Sequence, residues 1–252
     1  MKKVLVATLC IAAFGLAGCT SSEEEERELV ANQGASALYQ QAKRNMDLGN
    51  FTAAAEILST IDSRFPFGQL SHQVQLDLIY AYYKTGNREQ TLATIDRFIR
   101  LNPNHSDVDY AMYMRGLVNM ESDNNLFQDL FNVDRGDRDP SASREAFEDF
   151  RRLLEKLPDS KYADDAKQRM VAIKDRLARH EISVARFYMR REAWVAAANR
   201  GRYVLEYFAD TAQVQPALEI MVESYDQIGL EQLKQNALKT LKLNYPDSDF
   251  IR

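Results

Sequence analysis

The sequence is poor in the residues that build catalytic and metal centres. It has three histidines, His72, His105 and His180, and none has a second histidine or a cysteine four residues away or a Cys-x-x-Cys pair nearby. Zinc sites need such paired spacings, so no metal site is predicted. The nucleophile elbow Gly-x-Ser-x-Gly, the phosphate-binding glycine loop and the dinucleotide fingerprint are also missing. These absences predict a protein that is not an enzyme and that uses no cofactor.

Positive charge is scarce as well. The chain carries 32 lysine and arginine residues against 37 aspartate and glutamate residues, a formal net charge of −5. A protein that binds a nucleic-acid backbone needs a basic excess, so nucleic acid is not a predicted partner. No stretch shows the alternating polarity of a β-strand, which favours an all-α fold.

The N-terminus has the layout of an export signal. Two lysines precede a charge-free apolar run, 4–16, which closes with Leu-Ala-Gly directly before Cys19. This layout predicts a secretory signal peptide over residues 1–18, too short to cross a membrane as a helix. Leu-Ala-Gly-Cys resembles the bacterial lipobox, which implies an S-diacylglycerol group and an N-palmitoyl group on Cys19. The alternative is an ordinary signal peptide with a chance cysteine.

The distribution of cysteines favours lipidation. Cys10 leaves with the signal peptide, so Cys19 would be a single thiol in an oxidising compartment, where it is a liability unless blocked. Each buried methylene of an acyl chain contributes about 0.8 kcal/mol to membrane binding. Gram-negative lipoproteins that are retained in the inner membrane commonly have aspartate after the lipidated cysteine. Thr20 stands at this position, which by resemblance indicates that the protein is located in the outer membrane. Residues 19–33 are predicted to be a flexible tether, because they hold a run of glutamates without an apolar period.

Glycine and proline recur at a fixed interval along the rest of the chain. Each glycine precedes its proline by 17 residues in the pairs Gly49–Pro66, Gly86–Pro103 and Gly229–Pro246. Glycine can end a helix in the left-handed conformation and proline cannot continue one, so each interval predicts the second helix of a helical hairpin. A period of about 34 residues is typical of tetratricopeptide repeats. We therefore predict an all-α fold, a superhelical array of about five tetratricopeptide-type helical hairpins.

Two further hairpins are less regular. An inserted loop rich in Asp, Asn and Arg, 121–139, divides the third repeat, and loops of this length are usually functional or mobile. The predicted organisation is an N-terminal block, 34–120, this loop, and a C-terminal block, 140–252. Ala209 stands where the repeat pattern expects proline, which predicts a weakened boundary after repeat four. The remaining predicted helical segments are Tyr110–Met120, Ser141–Leu157, Lys161–Ala178, His180–Arg190, Glu192–Phe208 and the hairpin Pro216–Pro246.

Large apolar side chains mark a candidate peptide-binding surface. In tetratricopeptide repeats the first helix of each hairpin lines the concave side, and alignment on the turn glycine places Leu76, Tyr80 and Tyr83 toward the groove, with Lys84 at its edge. Such a slot would take the hydrophobic side chains of a peptide. The alternative is that the array buries these residues against the third repeat.

Two aromatic residues extend this candidate surface. Phe65 and Phe67 lie in the turn between repeats one and two, where aromatic rings are harder to bury than on a helix, so we predict that they contact a partner. A second apolar stripe on the next helix is predicted to be mainly core. It consists of Tyr110, Tyr113, Leu117 and Met120.

Several stretches resemble one family, the tetratricopeptide-repeat lipoproteins of the β-barrel assembly machine in the Gram-negative outer membrane. The similarity extends from the lipobox to the fourth repeat, and the fifth repeat matches mainly by pattern. The resemblance implies a lipid-anchored scaffold on the periplasmic face of the outer membrane, which serves the folding and insertion of outer membrane proteins. The stretches that carry it are Gln73–Lys84, Ile95–Pro103, Met112–Leu117, Val133–Pro140, Lys174–Ala178 and Ala193–Arg200.

The resemblance also implies partners. Members of the family bind a POTRA domain of BamA through their C-terminal half, hold accessory lipoproteins, and recognise the C-terminal signal of nascent outer membrane β-barrel proteins. By position, Trp194 and Arg200 are the implied BamA-binding residues, with Arg200 facing an acidic side chain, and Phe65 lies in the implied signal-recognition region. Two other interpretations compete with this one. They are another tetratricopeptide outer-membrane lipoprotein, such as a secretin pilotin or a cell-wall hydrolase scaffold, and a periplasmic hydrolase.

Overall fold

A computed structural model describes residues 34–121 and 140–251. Cys19, the signal peptide, the tether and most of the inserted loop lie outside these residues, so the predictions made for them stay predictions. The described residues form ten α helices in five consecutive pairs, with no strand among them, and the prediction of an all-α array of helical repeats is confirmed. The helices are α1 Ala35–Asp47, α2 Phe51–Arg64, α3 Ser71–Lys84, α4 Arg88–Leu101, α5 Val108–Glu121, α6 Ser141–Lys156, α7 Ala163–Arg190, α8 Trp194–Tyr207, α9 Val214–Gln227 and α10 Glu231–Asn244, followed by a 3-10 turn, Asp249–Ile251.

The chain divides into two compact units, of which the first ends at Gln90 and the second begins at Thr91. In the first unit α1 packs on α2, and α2 on α3. In the second unit α5 packs on α6, α6 on α7, and each later helix on the one before it. The division therefore falls within α4.

The hairpin turns share one backbone conformation. Gly49, Gly86 and Gly229 have φ angles of 77°, 70° and 70°, in the left-handed region that glycine adopts without a steric penalty. In the fourth hairpin the equivalent residue is Glu192, two positions before Trp194, with φ of 58°. A search for glycine spacing misses this repeat because a residue with a Cβ makes the same turn.

The second helix of a hairpin ends in the same way with or without proline. Phe65, Leu157 and Tyr245 each precede a proline and have φ between −130° and −137° and ψ between 52° and 65°, outside the α-helical region that a following proline disfavours. Phe208 has φ of −131° although Ala209 follows it. The N–H of the third residue after Phe208 bonds to its carbonyl at 3.1 Å, as it does after Tyr245. The missing proline has not displaced the boundary after repeat four.

One predicted break is wrong. The segments Lys161–Ala178 and His180–Arg190 are parts of a single 28-residue helix, α7. No glycine or proline interrupts the sequence there, and buried side chains recur at helical spacing from Ile173 through Ile182 to Ala185. Continuous packing on one face therefore keeps the helix intact.

Each unit has its own hydrophobic core. In the first unit the core forms around Leu38, Leu58 and Ile61, with Phe65 packed against it. In the second unit a larger core surrounds Phe150. The side chains of Tyr113, Leu117 and Met120 pack against this second core, as predicted for the apolar stripe on α5.

Candidate functional site

The turn after α2 presents one free and one anchored aromatic ring. Phe67 is 98% exposed, whereas Phe65 is partly buried against the core of the first unit. The guanidinium carbon of Arg64 lies 5.2 Å from the centre of the Phe65 ring, a cation–π contact. The N–H of Gly68 bonds to the carbonyl of Phe65 at 3.1 Å and closes the turn. A rigid turn thus holds the Phe67 ring in solvent.

A second aromatic group lies on α2 and α3. The ring of Tyr80 meets the ring of Phe51 edge-on, with 5.6 Å between their centroids, and Nζ of Lys84 lies 5.5 Å from the Phe51 centroid. Tyr80 and Lys84 are exposed and Phe51 is partly exposed. We call these three residues the Tyr80 patch. Sequence reasoning missed Phe51, although an aromatic residue also begins α8.

The exposed face predicted for α3 is only partly correct. Leu76 is 7% exposed, and every residue from Val74 to Ile79 is buried, so α3 is covered on all sides over this stretch. The expectation that Leu76 faces an open groove is therefore wrong, because alignment on a repeat cannot show how many neighbours enclose a helix. Tyr83 is partly buried. The accessible part of the predicted surface lies toward the end of α3.

Polar contacts fix α1 to α3 in the first unit. The hydroxyl of Tyr39 donates to Oδ2 of Asp77 at 2.7 Å, and Nε2 of Gln73 donates to its Oδ1 at 3.1 Å. Nζ of Lys43 lies 3.6 Å from the same carboxylate. Burial, followed by the hydrogen bond to Asp77, raises the pKa of Tyr39 above its ordinary value, so the hydroxyl stays a donor at neutral pH. The network holds α3 in place.

Arg200 has a partner inside the protein. Its Nη1 lies 2.9 Å from Oε2 of Glu181, whose residue surface is 1% exposed. Nη2 of Arg144 lies 3.4 Å from the other oxygen, Oε1. The hydrogen bond to Glu181 raises the pKa of Arg200, so this guanidinium stays charged. Trp194, the other candidate of the fourth repeat, begins the same helix and is partly buried.

A small cavity in the second unit was missed by sequence reasoning. Its lining includes the apolar side chains of Ile99 and Met112 and the guanidinium of Arg115. Arg115 bridges Asp96 and Asp149, and Nε donates to Oδ1 of Asp149 at 3.0 Å. Burial raises the pKa of Asp149, while the charge of Arg115 opposes that shift.

Within 34–121 and 140–251, no three side chains of His, Cys, Asp or Glu are grouped so that they could hold a metal ion. None of the helices formed by these residues combines the length and apolar character needed to cross a membrane.

The described helices define an all-α helical-repeat protein with an exposed aromatic turn. A family model described as "Outer membrane lipoprotein", YfiO, matches residues 31–250. The outer membrane protein assembly factor BamD of Vibrio cholerae is 46% identical over 91% of this chain and 93% of its own length. BamD of Neisseria meningitidis serogroup A is 37% identical over the whole chain and 94% of its own length. The chain belongs to the BamD family of outer membrane protein assembly factors.

Among solved structures, a tetratricopeptide repeat protein from Parabacteroides merdae is similar. The TM-score is 0.38 at 13% identity, over 82% of this chain and 78% of that chain.

Proposed function

We propose that this protein is a non-enzymatic scaffold of the β-barrel assembly machine, held on the periplasmic face of the outer membrane by lipid on Cys19. It binds BamA and the accessory lipoproteins, and it recognises the C-terminal signals of nascent outer membrane β-barrel proteins for folding and insertion. Membership of the BamD family supports the general role. The exposed surfaces of the two units support the particular contacts.

The observation that carries signal recognition is the aromatic turn. Phe67 is 98% exposed on a turn whose other ring, Phe65, is anchored. A fully exposed aromatic ring offers a large apolar area that a partner can bury. Together with the Tyr80 patch, the turn offers apolar and aromatic contacts to the side chains of an extended peptide. Release to BamA then requires only that BamA, or the growing barrel, compete for the same segment.

Site-specific photocrosslinking in intact cells tests this surface. A crosslinking amino acid at position 67 or 80 should capture nascent barrel proteins that end in an intact C-terminal signal, and should capture fewer when the signal is deleted. Position 48 is the matched control, because Leu48 is also an exposed apolar residue of the first unit, 76% exposed. Equal capture from all three positions would contradict the proposal.

The proposed contact with BamA uses Trp194 and Arg200, where an acidic side chain of a POTRA domain would meet the Arg200 guanidinium. Reversal of the charge in Arg200→Glu should reduce co-purification with BamA, because a charge pair at a partly desolvated interface loses several kcal/mol when one partner is removed. Capture of a secretin in place of BamA would favour a pilotin.

Mass spectrometry of the mature N-terminus tests the lipid on Cys19.

A further inference from the structure

We propose that Arg144 and Arg200, held in place by the buried carboxylate of Glu181, form one binding site for a single acidic side chain of the partner. We call these three residues the paired-arginine site. The inference rests on the proposed function, in which Arg200 meets a carboxylate of BamA. It adds a second contact residue, Arg144, which lies on a different helix, and a positioning residue, Glu181.

Three consecutive helices of the second unit build this site. Arg144 lies on α6, Glu181 in the middle of α7, and Arg200 on α8. The two oxygens of Glu181 are divided between the arginines, with Oε2 at 2.9 Å from Arg200 and Oε1 at 3.4 Å from Arg144. Residues far apart in sequence thus bring two guanidinium groups to opposite edges of one carboxylate.

Burial differs sharply between the acid and its partners. The side chain of Glu181 is 2% exposed, whereas those of Arg144 and Arg200 are 51% and 42% exposed. A buried carboxylate without cations would be strongly unfavourable, so Glu181 keeps both arginines close to it. Each guanidinium has five N–H donors, and most of them are not used by Glu181. Arg200 also has a side-chain hydrogen bond to Tyr188. The donors on the exposed edges of the two guanidinium groups are the ones that a partner would use.

The charge balance indicates what that partner offers. Among the described residues that form the site, two guanidinium groups and one carboxylate carry a net charge of one positive unit. A second carboxylate, from an acidic side chain, would complete the balance and accept hydrogen bonds from both arginines. Because Glu181 already restricts the two side chains, little rotamer entropy remains to be lost on binding. This preorganisation distinguishes the site from ordinary surface arginines.

The test measures the dissociation constant of the full-length mature protein for detergent-solubilised full-length BamA. Arg144→Met and Arg200→Met keep the length of the side chains and remove their charge, and each should weaken binding by about tenfold. Arg151→Met is the matched control, because Arg151 is also on α6 but pairs with the exposed side chains of Glu148 and Glu155 and not with a buried carboxylate of the described residues. It should leave the dissociation constant within about twofold of the wild type.

A double-mutant cycle separates contact from mere stability. Neutralising the acidic side chain of BamA that meets Arg200 should weaken the wild-type complex about tenfold, but the Arg144→Met complex by less than about threefold. If the two effects simply multiply, Arg144 does not touch that carboxylate and the inference is overturned. The inference is also overturned if Arg200→Met weakens binding while Arg144→Met binds like the wild type. In that case the proposed function stands. Failure of the wild-type protein to bind BamA would overturn the proposed function itself.

Discussion

The ring of Phe150 packs directly on the backbone of Gly116. A Cβ atom added at residue 116 would lie 2.5 Å from Cε1 of Phe150 and 2.7 Å from its Cδ1 and Cζ. Phe150 is fully buried and belongs to the core of the second unit, and Gly116 lies on α5. The absence of a side chain at one position of α5 therefore sets how closely α6 can approach.

We expect Gly116→Ala to destabilise the protein. The added methyl group overlaps a fully buried ring, and overpacking of this kind costs about 1–3 kcal/mol. Urea unfolding of the purified mature protein measures the loss. Phe150→Leu in the same chain should recover part of it, although Phe150→Leu alone leaves a cavity. If the two single losses simply add in the double variant, the contact does not limit the packing.

Glu192→Gly should stabilise the protein by about 1 kcal/mol, because glycine adopts a positive φ without the penalty that a residue with a Cβ carries. The reverse change at the equivalent turn is the control. Gly86→Ala should lose a similar amount through backbone strain alone, since no atom lies within 4 Å of the added Cβ. Differential scanning calorimetry of both variants checks the pair. A lower melting temperature for Glu192→Gly would contradict the shared turn conformation.

Ala209→Pro should leave the fold intact and raise its stability by about 0.4–1 kcal/mol, because proline restricts the unfolded chain. Phe208, with φ of −131° and ψ of 31°, has already left the α-helical region that a following proline disfavours, as have the residues before proline in the other turns. The gain would appear as a higher urea midpoint with an unchanged slope. A loss of stability would show that the turn after α8 differs from the turns that contain proline.

Arg200→Glu should reduce stability as well as binding to BamA. The new carboxylate would lie against Glu181, which is 1% exposed, and breaking a buried ion pair costs about 3–5 kcal/mol. The remaining contact with Arg144 will offset part of this loss. Adding Glu181→Gln to Arg200→Glu should restore most of the stability without restoring co-purification with BamA. Recovery of both would show that Arg200 acts only inside the protein.

Most of the repeat pattern could be predicted from the sequence, and the exceptions have local causes. Helix ends at Gly49, Gly86 and Gly229 were found because glycine marks a left-handed turn. The turn at Glu192 carries no glycine. The end of α7 was nevertheless predicted correctly, but the continuity of this helix through residue 179 was not. The candidate peptide-binding surface was also predicted only in part, since Phe67 is exposed as expected and Leu76 is not.

The sequence by itself determined where most helices end, because glycine, proline and apolar spacing act on the backbone within a few residues. It also determined which family the chain resembles, through stretches of matching residues. It also determined that two aromatic residues lie in a turn after α2. Only the tertiary structure decided that Leu76 is enclosed, that Phe51 joins Tyr80 and Lys84, and that Glu181 holds Arg144 and Arg200 together. Burial and ion pairing depend on side chains from separate helices, and their distances are fixed only when those helices pack.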